Sequence, residues 1–188
     1  MTDARKLRLL GILALVFCAA HMVEMVVRHD LPSFFWMCNI TGPLLALGCL
    51  ARRRALVSVS LLWIAWGTGL FGVDIATGGE FYATALLSHA GVLAIGVAAV
   101  RIIGWARGSW WKAAALQPAF LVLARLFTGP ADNVNLAYAV WRGWEDVFPS
   151  HAVYLGVLLV GSTALYGALE LAFRRIALPG AGAITCAG

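Results

Sequence analysis

The sequence predicts an all-α polytopic membrane protein with six transmembrane helices and both termini cytoplasmic. Three observations lead there. First, 62% of the 188 residues are hydrophobic and only 12% are charged, which no ordinary soluble domain tolerates. Second, six apolar stretches recur, at 7–27, 34–50, 55–75, 81–103, 110–127 and 152–173. As helices of about 17–23 residues, they have the length to cross a hydrocarbon core of ~30 Å. Third, numbering the gaps alternately inside and outside puts 11 of the 14 Lys and Arg residues inside. Only Arg28, Arg125 and Arg142 lie towards the other side. The positive-inside rule then directs both termini to the cytoplasm.

Taken in order, helix 1 follows a basic segment and has no small-residue cleavage site, so it reads as a retained span. It carries His21 and Glu24 near its outer end. Pro32 breaks the chain before helix 2, which opens with Phe34, Phe35 and Trp36, aromatics suited to an interface. Cys38, Asn39 and Thr41 follow, ahead of Gly42-Pro43. The Arg52–Arg54 cluster turns the chain into helix 3, where Gly67, Gly69 and Gly72 permit close helix approach. Helix 3 ends near Asp74, and helix 4 carries Ser88-His89. Helix 5 begins at Trp110-Trp111 and ends near Arg125. The longest connection, 128–150, contains Asp132, Asn133, Asn135 and an amphipathic stretch at 138–148 that suggests a surface helix. Helix 6 ends in Arg174-Arg175, with Glu170 one helical turn earlier and spaced to pair with Arg174. A single membrane domain over 1–177 and a mobile tail at 178–188 complete the organisation.

Charge and cysteine usage narrow the function. The net charge of +5 is accounted for by cytoplasmic loops facing anionic headgroups. Nucleic acid is not expected as a partner, because no soluble module presents a basic face. Cys18, Cys38, Cys49 and Cys186 show neither a CxxC nor a zinc-ligand spacing, so no metal and no cofactor are assigned. His21, His89 and His151 lie at unequal depths, which argues against haem.

The intramembrane polar groups are one-sided. His21, Glu24, Cys38, Asn39, Thr41, Asp74, His89 and Arg125 all fall in the outer half of this topology. Such groups are costly in hydrocarbon and suggest function. At ~1.5 Å per residue, Thr41 and His89 are each about 12 Å below the outer surface, with Cys38 one turn shallower. A thiol beside an imidazole is the pattern of nucleophilic catalysis. Cys38 is then the nucleophile candidate and His89 the base, with Asp74, Asn39 or Glu24 available to orient the ring. Arg125 can hold a phosphate or an oxyanion, and Thr41, Asn133 and Asn135 border the same level. Several have a simpler structural reading, though His89, well inside a span, wants a partner. Cys38 fits as a small hydrophobe, Thr41 as a backbone partner before Pro43, His21 with Glu24 as a hydrogen-bonded pair, and the asparagines as turn residues.

Met37-Cys38-Asn39, Ser88-His89-Ala90-Gly91 and Asn133-Val134-Asn135 with Tyr138 resemble three steps of the YwaF-type six-helix integral membrane proteins. Those steps are a Leu-Cys-Asp-like opening of helix 2, a Ser-His-Gly-like step in helix 4 and an Asn-Tyr step after helix 5. More distantly, the chain is similar to the androgen-induced-gene-type membrane threonine hydrolases of fatty-acid esters. Asn39 stands where the family has an acid, Ala90 intervenes before Gly91, and the Asn-Tyr step is not contiguous. The threonine nucleophile aligns nearer Trp36 than Thr41. The resemblance implies a lipid hydrolase or acyltransferase in a cell membrane of the bacterial inner-membrane type.

Two functions stand against each other on sequence. One is hydrolysis or acyl transfer on lipid esters from the outer leaflet, with membrane lipids as the partner. The other is a non-enzymatic lipid- or cofactor-binding subunit, or a small transporter, that associates with itself or with a membrane complex. The apolar inner halves of the helices argue against a transport path through the membrane.

Overall fold

The computed structural model describes residues 2–177, and the expected tail at 178–188 lies outside the described residues. Among them the fold is all-α. Its six helices are α1 (Asp3–Val27), α2 (Met37–Leu50), α3 (Arg54–Ala76), α4 (Ala83–Ile103), α5 (Ser109–Phe127) and α6 (His151–Ile176). Single 3-10 turns occur at Pro32–Phe35 and Val134–Leu136.

Four helices, α1, α3, α4 and α6, are long and apolar enough to cross a membrane. The two others depart from the expected spans for local reasons. Pro32 opens a 3-10 turn, and Trp36 leaves helical geometry at ψ 136°, so α2 restarts only at Met37. Its 14 residues reach only about 21 Å at ~1.5 Å per residue. α5 has 19 residues but carries Gln117 and Pro118 within its apolar run.

α3 is the most buried of the four long helices and packs against α2, α4, α5 and α6. Leu61, Leu62 and Ile64 of α3 meet Leu45 of α2 and Val92 of α4 in a core closed to solvent. α1 lies across α2 and α4, and α6 pairs with α5. Small residues set the spacing. A Cβ at Gly42 would come 2.5 Å from the Cys18 sulfur, so α1 and α2 touch there only because Gly42 has no side chain. Gly11 of α1 meets Ala46 and Leu50 near the far end of α2, which makes the two helices antiparallel.

The alternation of direction separates two ends. One end holds Arg5, the Arg52–Arg54 turn, Arg107 and Arg174-Arg175. There Glu170, only 4% exposed, caps α5 instead of pairing with Arg174. Its Oε1 accepts from the Gly108 N–H and its Oε2 from the Trp110 N–H, each at 2.9 Å. Those donors have no partner within the helix, and a carboxylate complements the positive end of the helix dipole.

The opposite end carries the connections after α1, α3 and α5. The connection from 128 to 150 is folded without the surface helix expected at 138–148. Gly143, at φ 88°, interrupts it, and turns take its place. The segment is held down instead. The Tyr138 hydroxyl donates to the Thr128 carbonyl at 2.7 Å, and His151 Nε2 donates to the Leu136 carbonyl at 2.9 Å.

Candidate functional site

Beneath that folded connection lies a cavity of about 500 Å³, at the end opposite the arginine-rich turns. Its walls are largely aromatic and aliphatic, among them Trp36, Trp66, Phe71, Phe120 and Leu155. Polar groups reach it from five helices and the 128–150 connection. They include His21, Cys38, Asn39, Asp74, His89, Gln117, Asn133 and Asn135. Six of the eight sequence-predicted site residues therefore share one space, and Arg125 and Thr41 do not line it.

His89 is placed by a π turn at Leu87–Gly91 that interrupts α4. Such turns are uncommon and are frequent at functional sites. The ring is 5% exposed and stacks on Phe71 with centroids 4.5 Å apart. Nδ1 lies 2.8 Å from the Ala85 carbonyl, which can only accept, so Nδ1 carries the proton in the neutral ring. The lone pair is then on Nε2. The Ala85 carbonyl is thus the orienting partner of His89 in this geometry, rather than Asp74 or Asn39. The Ser88 hydroxyl donates to the same carbonyl at 3.0 Å.

Cys38 is in the first turn of α2 and half-buried. Gly67 of α3 faces it so closely that a Cβ there would lie 3.0 Å from the Cys38 Cβ. Asn39 donates its amide to the Ser33 carbonyl at 2.8 Å, with the Met25 sulfur at 3.7 Å. The amide therefore ties α2 to the turn before it. Thr41 is fully buried, and its hydroxyl turns back to the Cys38 carbonyl at 3.2 Å.

The remaining predicted residues divide in the same way. Asp74, at the end of α3, lines the cavity. Arg125 directs both Nε and Nη2 to the Ala137 carbonyl, at 3.0 and 2.8 Å, so its fork holds the connection in place. Asn133 accepts from the Tyr138 and Ala139 amides at 3.0 and 2.9 Å. Asn135 accepts from the Met37 amide and donates to the Phe35 carbonyl, both at 2.7 Å. Asn133 thus folds the connection on itself, and Asn135 clamps it onto the helix start that carries Cys38. Asn133, Asn135 and Leu136 have φ of 42°, 54° and 59°, a left-handed run that costs energy for Leu136 above all.

Behind His21, outside the cavity lining, a polar group went unread in the sequence. Thr84 of α4 donates its hydroxyl proton to the Glu24 carboxylate and lies 3.0 Å from His21 Nδ1. Arg28 holds Glu24 from the other side at 3.2 Å and covers the Tyr82 ring at 3.9 Å. His21 and Glu24 are bridged through Thr84, a threonine with no sequence signal to separate it from other helical threonines. Gln117, whose Oε1 accepts from the Ser162 hydroxyl at 2.8 Å, is an unread polar group of the cavity wall itself.

Among the described residues, no group of three or more His, Cys, Asp and Glu side chains is arranged to hold a metal ion. Compared with known proteins, the chain matches no family model, no curated protein and no solved structure.

Proposed function

We propose that this chain crosses the membrane six times, with both termini cytoplasmic, and acts on lipid esters from the outer side. The reaction is acyl transfer or hydrolysis, with Cys38 as nucleophile and His89 as its base. One observation carries the reading. Cys38 from α2 and His89 from α4 line a single cavity, and the neutral His89 ring keeps its lone pair on Nε2. That is the state in which an imidazole takes a proton from a thiol. A volume of about 500 Å³ with mainly apolar walls suits part of an acyl chain and its ester. The likeness of the Cys38, His89 and Asn133–Asn135 segments to YwaF-type proteins supports the same chemistry.

For six spans, α2 and α5 cross as part of the bundle, with neighbouring protein and the 32–35 turn completing the thickness. Asn39, Asn135, Thr41 and Arg125 act as framework, since their polar atoms are engaged by the backbone.

Thiol reactivity tests the reading. With a small thiol-directed probe, Cys38 labels faster than Cys18 or Cys49, and His89→Ala removes that advantage in a folded protein. Cys38→Ser abolishes ester turnover. Equal, slow labelling of the three thiols, unchanged in His89→Ala, overturns the enzyme and leaves a lipid-binding subunit. The extensive engagement of the asparagines favours that second reading.

A further inference from the structure

Acylation of Cys38 uses one imidazole, and the cavity holds two. His21 lines the same space as Cys38 and His89 and is 4% exposed. Its ring lies 6.5 Å from that of His89, edge-on at 71°.

The neighbours of His21 fix where its proton resides. The Thr84 hydroxyl has a single proton and donates it to Glu24, whose ionised carboxylate can only accept. Arg28 Nε and Nη2 hold that carboxylate, each at 3.2 Å. Towards His21, Thr84 Oγ1 can therefore only accept, and it does so from Nδ1 at 3.0 Å. The lone pair of neutral His21 is then on Nε2. His89 reaches the same tautomer through the Ala85 carbonyl. Two unrelated local devices thus leave two imidazoles of one cavity in the form that accepts a proton. Only His21 is linked, through Thr84, to a carboxylate.

We infer that His21 is a second general base, serving the step that empties the acyl-enzyme, with Thr84 and Glu24 as its positioning residues. The inference rests on Cys38 as the nucleophile. In the first half-reaction, the Cys38 proton passes to His89 and on to the departing alcohol while sulfur bonds the acyl carbon. In the second, a water or alcohol hydroxyl bonds that carbon and gives its proton to His21 Nε2. The carbon–sulfur bond breaks, its electron pair stays on sulfur, and the proton returns to restore the thiol. No further reactant is needed. Separate bases let the entering hydroxyl and the departing alcohol occupy different places.

The experiment uses the purified full chain in detergent with p-nitrophenyl octanoate, following nitrophenolate release and the octanoyl thioester on Cys38 by intact mass. In the unmodified chain the thioester forms and decays. His89→Gln prevents its formation. His21→Gln still forms it but slows its decay by ~100-fold or more, the scale of a lost general base. Thr84→Val slows decay in the same sense, and Thr84→Ser restores it. A merely structural threonine would not separate decay from formation. Unaltered decay in both His21→Gln and Thr84→Val overturns the inference, as does an equal loss of formation and decay in the two. Absence of any thioester on Cys38 in the unmodified chain overturns the nucleophile reading itself, and this inference with it.

Discussion

The side-chain amide of Asn135 caps the start of α2 from a distant part of the chain: Oδ1 accepts from the Met37 N–H at 2.7 Å. Nδ2 completes the clamp by donating to the Phe35 carbonyl at 2.7 Å. The first amides of a helix have no partner within it, so this contact from the 128–150 connection determines where Cys38 begins its turn. It also holds the connection over the cavity.

Replacing Asn135 separates its two contributions. Asn135→Ala removes the hydrogen bonds and places a Cβ-bearing residue without a local polar partner at φ 54°. A loss of about 1–3 kcal/mol is expected from the unsatisfied partners. Asn135→Gly loses the same bonds but relieves the left-handed strain, so it melts above the alanine variant in detergent, by about 1 kcal/mol in stability. Equal melting of the two would show that the backbone there is not strained.

Gly67 governs the setting of Cys38. An added methyl would lie 3.0 Å from the Cys38 Cβ, between two rigid helix backbones. Gly67→Ala is therefore expected to destabilise by about 1–3 kcal/mol, the usual scale of overpacking. It should also change Cys38 labelling more than Cys49 labelling. Gly69, which has open space around its Cβ direction, is the control. Gly69→Ala should leave both unaltered, and a Gly67→Ala protein indistinguishable from it would refute the close approach.

Glu170 is the structural anchor of the opposite end. Glu170→Ala leaves the Gly108 and Trp110 amides without their acceptor and is expected to cost about 1–3 kcal/mol. Arg174→Ala should have little effect, because the carboxylate is engaged elsewhere. Thermal unfolding of the two variants in detergent checks this. A larger effect at Arg174 would restore the intrahelical ion pair that the sequence spacing suggests.

Topology is tested by single cysteines in a background lacking the native ones. Positions 80 and 132, in connections at the cavity end, should label from outside intact cells. Positions 53 and 107, at the arginine-rich end, should label only after the membrane is opened. The reverse pattern would turn the protein over and place the cavity on the cytoplasmic side.

The sequence by itself determined the helical class and the near positions of all six helices, because hydropathy and helix breakers act locally. It also determined the separation of a basic end from a polar end, since residue order fixes which helix ends share a side in an alternating bundle. It placed Cys38, Asn39, Thr41, Asp74, His89 and Arg125 in one half of the bundle, with Asn133 and Asn135 bordering them. Six of these eight line the cavity, while Thr41 and Arg125 do not. It could not say what those side chains bond to. Only the tertiary structure decided that Asn135 reaches back to Met37, that Arg125 holds a carbonyl, and that Glu170 caps α5. The bridge from Glu24 through Thr84 to His21 joins residues 60 positions apart along the chain. Such contacts depend on helix rotation and separation, which are set by close packing at glycines such as Gly42 and Gly67. A one-residue rotation of a helix leaves its hydropathy unchanged but moves every hydrogen-bond partner by about 100° around its axis.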